Sequence, residues 1–212
     1  MMKLAGILLF LSVLAPLSAG AATQAEILHG EAALRALPAP VHDGVLRARF
    51  HQVRMAQAMS QPLVSAGRLI VAPGVGILWI LDDPFAVTVA ITPGRVTEQE
   101  EGMPAQEMPA MAQPVFRAFL PLFLDLPTGN LSRFTDMFEA ELIQQTGRWT
   151  LKLSPRDPTF AKAIRIVEVT GATEIDTVRI EEASGDQTTI SFSAQAIDPA
   201  GLAAAERAQF GE

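Results

Sequence analysis

The sequence predicts a mainly β protein with short helices: about ten antiparallel strands in one sheet that curls, with a helical segment as its cover. Three observations carry this. Period-two alternation of apolar and polar residues runs from Gly44 onwards; Pro-Gly, Asp-Asp-Pro and Gly-Asp turn signals interrupt it at short intervals; and one stretch between the strands changes to helical spacing rich in phenylalanine. A long, twisted sheet with one wet face tends to curl or split, and curling gives it a concave side.

The first residues, "MMKLAGILLFLSVLAPLSAGAA", have the layout of a secretory signal. Lys3 stands in front of the apolar run Leu4 to Leu14, Pro16 ends it, and Ala19-Gly20-Ala21 offers small residues for cleavage. The rival reading is a membrane anchor, but the run is shorter than the ~20 residues a spanning helix needs. Residues 1–21 are therefore expected to be a cleaved signal and 22–212 a single domain.

"TQAEILHGEAALRALPAP" places Ile27, Leu28, Leu34 and Leu37 at roughly helical spacing and reads as one short amphipathic helix. Next, Leu46, Ala48, Phe50 and Gln52 share one face of a long strand whose other face carries Arg47, Arg49 and His51. Short strands follow through "PLVSAGRLIVAPGVGILWILDDPFAVTVAITPGRVTEQ", in the pattern of an antiparallel meander. Within it Ile77 to Leu81 is apolar at every position, as expected of a strand packed on both faces, while Phe85, Val87, Val89 and Ile91 alternate with small residues and are expected to line the concave side.

"EQEEGMPAQEMPAMAQP" then reads as a surface loop holding Met103, Met108 and Met111 among prolines. It leads to "VFRAFLPLFLDLPTGNLSRF", where Phe116, Phe119, Leu120 and Phe123 form a helical stripe that Pro121 should split. A helical insertion is thus expected at about 108–136. Strands return near Met137–Ile143, Arg148–Ser154, Ala163–Thr170, Ile175–Glu181 and Thr188–Ser193, with Gly185-Asp186 as a hairpin signal. In "TTISFS" Ile190 and Phe192 face one way and the polar residues the other.

Composition narrows the function. The 212-residue chain has 16 basic and 23 acidic side chains, and removing residues 1–21 takes away only Lys3, so the acidic excess argues against a nucleic-acid partner. It has no cysteine, which excludes disulfides, thiol catalysis, thiolate metal sites and a lipid-attachment cysteine. His29, His42 and His51 stand apart with no partner at metal or triad spacing, and no "GxSxG", "HExxH" or phosphate loop is present. Neither catalysis, nor a metal, nor a cofactor is expected. Asp82-Asp83 reads as turn chemistry ahead of Pro84, since adjacent strand residues point to opposite faces, with a cation site or a carboxylate pair as the alternative. Glu98, Glu100, Glu101 and Glu107 read as a solvated face, with docking to a basic partner as the alternative.

The order of "FHQVR", "SAGRLIVAPGVGILWILDDP", the Thr92-Pro-Gly turn, "LPTGNLSRFTDMFEAEL", "WTLKLSP" and "IVEVTGATEIDTVRIEEASGDQTTISF" resembles that of the periplasmic outer-membrane lipoprotein carriers, the LolA-type family, over nearly all of the chain after its signal. The resemblance implies an incompletely closed antiparallel β-barrel of ten or eleven strands under a short-helix lid. It also implies an apolar cavity for the acyl chains of a lipoprotein, an inner-membrane transporter that loads the carrier, and an outer-membrane receptor that unloads it. A soluble, monomeric periplasmic protein is expected. On that basis Phe50, Leu69, Trp79, Phe85, Val87 and Val89 are cavity residues and Phe116, Phe119, Leu120 and Phe123 belong to the lid. Carriers of this type commonly place a basic latch before the proline that ends the tryptophan strand. Here Asp82 and Asp83 stand there, leaving Arg54 and Arg68 as the candidate latch residues.

Two other readings compete. The phenylalanine stripe at helical spacing is also what an ordinary core helix shows. A β-rich scaffold whose apolar groove accepts a protein partner would have the same pattern.

Overall fold

In a computed structural model the described residues are 25–38, 44–93, 95–107 and 135–211. The expected signal, His42, Met108, Met111 and the whole Phe116, Phe119, Leu120 and Phe123 stripe lie outside them.

The fold is mainly β, as expected: a single curved antiparallel sheet with a few short helices. The strands are β1 (Glu26–His29), β2 (Val45–Met55), β3 (Leu63–Ala72), β4 (Gly76–Asp83), β5 (Val87–Ile91), β6 (Val96–Glu100), β7 (Gln106–Glu107), β8 (Phe138–Gln145), β9 (Arg148–Pro155), β10 (Ile164–Gly171), β11 (Ile175–Glu182) and β12 (Gln187–Asp198). The described helices are α1 (Gly30–Arg35), α2 (Pro158–Ala161) and α3 (Ala204–Phe210). Twelve strands pair in the order β1-β8-β9-β10-β11-β12-β2-β3-β4-β5-β6-β7, so among the described residues β1 and β7 are the free edges and the barrel is not closed.

Two meanders, β2–β7 and β8–β12, are joined side by side through the β12–β2 ladder, which runs from Gln187↔Met55 to Asp198↔Val45. Each hairpin follows from its turn residues. At the β11–β12 turn Gly185 sits at φ 90°, a conformation only glycine adopts without strain, and the Glu182 N–H donates to the Asp186 carbonyl at 2.9 Å.

The strand count rises above the expected ten or eleven partly because the first expected helix is half strand. Ile27 and Leu28 satisfy a helical spacing, but they pair with Ile143 and Leu142 of β8, and the chain turns into α1 only at Gly30, φ 59°. The expected loop from Glu98 also yields: Glu98 and Glu100 belong to β6, and Gln106–Glu107 pairs back on it.

One face of the sheet gathers into one buried cluster. It takes alternate residues from both meanders, such as Leu69, Trp79 and Val89 on one side and Leu151, Val167 and Ile190 on the other, together with Ala33 and Leu34 of α1. The opposite, convex face is mostly polar. Registers align Glu141, Lys152, Glu168 and Arg179 in one row across β8 to β11, alternating in charge, which favours this pairing over a slipped one.

The convex face carries a second buried apolar cluster, and there a helix covers it. Phe210 of α3 packs with Val45, Ile70, Ala72, Leu78 and Ala90 in a second, smaller cluster. This accounts for the doubly apolar strand β4: Ile77 and Trp79 enter the main cluster, while Leu78 enters the cluster under α3. Arg47 ties the helix down. Its Nη2 donates to Glu206 Oε2 at 3.0 Å and to the Gly201 carbonyl at 3.0 Å, and its Nη1 also bonds Glu206. Burial works to raise the Glu206 pKa, but the hydrogen bonds from Arg47 and from the Ala203 N–H, with the Arg47 charge, leave it lowered.

Candidate functional site

The concave face is built around an aromatic floor. Phe50 on β2 and Trp79 on β4 stack with ring centroids 4.0 Å apart and planes inclined by 26°. They belong to strands that flank β3, and they meet because the residue between them is Gly67, opposite both Phe50 and Leu81 in the ladders. A Cβ at Gly67 would overlap the Ile80 carbonyl oxygen and come within 2.9 Å of Phe50 Cζ. Glycine therefore leaves the space over β3 that the Phe50 ring occupies where it meets Trp79, which any side chain at this position would take.

Of the expected cavity residues, Phe50 (3% exposed), Leu69, Trp79 and Val89 are buried in the same cluster, with Val87 half-buried beside them. Phe85 is the correction. It follows Pro84 in the β4–β5 turn rather than extending β5, and its side chain is 76% exposed, because the Asp83-Pro84-Phe85 turn breaks the alternation that reaches Ile91. Phe116, Phe119, Leu120 and Phe123 lie outside the described residues.

Arg54 and Arg68 are brought to sheet carboxylates. Arg68 makes a two-pronged bond to Asp82 on β4, Nε at 3.1 Å and Nη2 at 3.0 Å, which raises its own pKa. Both partners are about half exposed, so the pair contributes at most ~1 kcal/mol. Asp82 thus serves as the cross-strand partner of Arg68 as well as a turn residue. Arg54 lies on the concave face, where its Nη2 donates to Asp186 at 3.0 Å and stands 3.0 Å from Glu182 Oε1 without hydrogen-bond alignment, a charge contact alone.

A second feature was not legible from spacing. Met55, Met59, Leu63, Val64, Phe85 and Met103 are all large, apolar and about half or more exposed. They sit at or beside the β2–β3, β4–β5 and β6–β7 turns, which the alternating ladders bring to one end of the sheet. Large exposed apolar side chains gathered at one end of a sheet make a candidate interaction surface.

A shallow hollow also opens at the β8–β9 turn, lined by Ile143, Arg148 and Thr170 among others. Its lining is mixed, with Ile143 and Trp149 beside Gln145, Thr146 and Thr150; Arg148 is held there by Asp176 at 2.7 Å, and it is separate from the Phe50–Trp79 stack. Among the described residues no group of three or more His, Asp or Glu is arranged to hold a metal ion.

Solved structures similar to this chain include three with the following likeness. A LolA superfamily protein from Nitrosomonas europaea aligns over 74% of this chain and 88% of its own, with 8% identity and a TM-score of 0.40. A DUF1329 family protein from Desulfovibrio piger aligns over 77% and 89%, with 11% identity and a TM-score of 0.45. A putative outer membrane lipoprotein-sorting protein domain from Vibrio parahaemolyticus aligns over 79% and 92%, with 12% identity and a TM-score of 0.40. No protein-family model and no curated protein sequence matches.

Proposed function

We propose that this chain is a non-enzymatic carrier that shelters acyl chains of an exported lipoprotein, or of a related lipid-linked amphiphile, against the concave face of its sheet. The observation that carries the proposal is the Phe50–Trp79 floor over Gly67, continuous with one apolar cluster that spans both meanders. Each methylene removed from water contributes ~0.8 kcal/mol, so a single chain of ordinary length supplies on the order of 10 kcal/mol. Affinity is easily reached; release is the harder requirement. In this reading the insertion at 108–136, with Phe116, Phe119, Leu120 and Phe123, is the lid, and its own burial competes with cargo so that the closed, empty state offsets part of the binding energy.

The carrier is exported through residues 1–21, works as a monomer in the periplasm, is loaded by an inner-membrane transporter and unloads to an outer-membrane receptor. Lipid mass spectrometry on the purified protein tests the proposal. Bound acyl species that a fluorescent fatty-acid probe displaces support it; protein free of lipid that also fails to bind the probe sinks it. A Phe119→Asp variant tests the lid: probe binding should fall far more than folding stability, and equal loss of both would mark the stripe as ordinary core.

A second reading is a periplasmic assembly or scaffold factor that binds a protein partner. The exposed turn residues Met55, Met59, Leu63 and Phe85 favour it, since a rim of large apolar side chains suits a protein surface.

A further inference from the structure

The concave face is not apolar throughout. Along β2 its residues run Ala48, Phe50, Gln52, Arg54, from apolar to polar in the direction of the β2–β3 turn, and β12 follows the same gradient through Phe192, Ile190 and Thr188, while Leu63 on β3 stands opposite Arg54. Opposite Gln52 stand Ser65 on β3 and Ile190 on β12; opposite Arg54 stands Thr188 on β12, itself opposite Ile180 of β11. Directly opposed residues point to the same side of a sheet, and Phe50, Ile190 and Ile180 belong to the main cluster. Gln52, Arg54, Ser65 and Thr188 therefore form one contiguous polar island on the concave face, at the end where the exposed turns lie.

The island is sheltered. Ser65 and Thr188 are the buried polar residues among those described, at 9% and 5% exposure, and neither hydroxyl makes a hydrogen bond to another described residue. Next to Thr188 and Arg54, Glu182 is 11% exposed in its side chain, and its buried Oε1 has the charge of Arg54 nearby but accepts no hydrogen bond. Buried polar atoms are normally satisfied, so Glu182 Oε1 is open to a donor that is not part of the sheet, with the Thr188 hydroxyl next to it and that of Ser65 further along the island.

Their chemistry restricts that partner. Arg54 is matched by two carboxylates, Glu182 and Asp186, which leaves the island acidic, and Glu98 and Glu100 stand opposite Val89 and Val87 on the same face. An anionic head such as a phosphate or free carboxylate would meet repulsion here. An ester or ether with acceptors alone would leave Glu182 unsatisfied. A hydroxyl both donates and accepts, which suits the Glu182 acceptor, the Gln52 amide and the Ser65 and Thr188 hydroxyls together.

We propose that Gln52, Ser65, Thr188 and Glu182 form a headgroup subsite for a neutral, hydroxyl-bearing amphiphile of the glycerol- or sugar-headed class, with its acyl chain lying on the Phe50–Trp79 floor. The proposal rests on the carrier reading and adds to it which end of the cargo is read, and how. Asp186 holds Arg54 through a hydrogen bond, and the subsite selects among amphiphiles that the apolar floor would bind alike.

Titration calorimetry of the full chain with two soluble probes of equal chain length, 1-monododecanoylglycerol and dodecanoate, tests it. The glycerol-headed probe should bind about tenfold more tightly, the effect of one or two well-made hydrogen bonds. A Ser65→Ala/Thr188→Val variant should lose about three- to tenfold of that preference while binding dodecanoate as before. Glu182→Gln, which keeps the shape and removes the charged acceptor, should also reduce the preference, and thermal unfolding of each variant checks that the fold is retained. Equal binding of the two probes, tighter binding of dodecanoate, or equal weakening of both probes in the variants would overturn the subsite and leave the carrier reading standing. Binding of neither probe would overturn both.

Discussion

Gly67→Ala is the smallest change that tests whether the aromatic floor is built as described. The added methyl would overlap the Ile80 carbonyl oxygen, a backbone atom of the paired strand that cannot swing aside, and would stand 2.9 Å from Phe50 Cζ. Overpacking of this kind costs about 1–3 kcal/mol, and a clash with backbone belongs at the upper end. Loss of chain entropy in the unfolded state returns about 0.4–1 kcal/mol. The net expectation is a destabilisation of about 2 kcal/mol, which for a chain of this size lowers Tm by about 4–8 °C. Because the clash also pushes Phe50 off Trp79, tryptophan emission should change in the folded state. Thermal unfolding followed by circular dichroism, with fluorescence on the same samples, reads both effects. A variant with wild-type Tm and wild-type emission would refute the claim that Gly67 is required for the stack.

Other expectations follow from the convex side. Phe210→Ala empties the ring position that covers Leu78 and Ile70, and should destabilise by about 3–5 kcal/mol in urea unfolding; a loss under about 1 kcal/mol would show that α3 is not a structural cover. Glu206→Gln tests the tie to Arg47. The folded-state pKa of Glu206 is lowered, so its stabilisation is fully present above the unfolded glutamate value of ~4.3 and is lost as pH falls through the folded value. The gap in urea midpoint between wild type and variant should therefore be widest near neutrality and shrink below pH ~4; a gap independent of pH would contradict this.

Much of the fold is legible in the sequence because half-buried antiparallel strands display their period. The β9 to β12 ladders fall within a residue or two of the alternating runs at their starts, and the doubly apolar β4 correctly demands a packed element on each face. Three elements resisted for physical reasons. Glu26–His29 carries a helical spacing over too few residues to distinguish it from a strand, and pairing with β8 decides. Phe85 continues the alternation of β5 on paper, but the turn ahead of it takes it out of the sheet. The helix α3 is only seven residues long, and its signal, the alanine run ended by Gly211 at φ 83°, lies in propensity and capping rather than in a hydrophobic stripe.

The candidate site was half legible. Alternation alone could assign Phe50, Val87 and Val89 to one face, whereas Leu69 and Trp79 stand in runs apolar at every position and were expected there from the family resemblance. The stack itself could not be assigned, because it depends on Gly67 lying between two strands whose register no local pattern gives. The partners of Arg54 and Arg68 were hidden for the same reason: Asp186 and Asp82 become neighbours only through the β12–β2 and β3–β4 ladders.

Contact quenching of Trp79 tests the central claim most directly. In a Trp149→Phe background Trp79 is the remaining tryptophan, since the chain has two. A fatty acid brominated along its chain quenches indole only when the two touch. If acyl chains lie on the Phe50–Trp79 floor, the brominated chain should quench most of the emission saturably, and an unbrominated chain should restore it in competition. Probe binding measured by calorimetry with Trp79 emission left unquenched, or no binding at all, would contradict it.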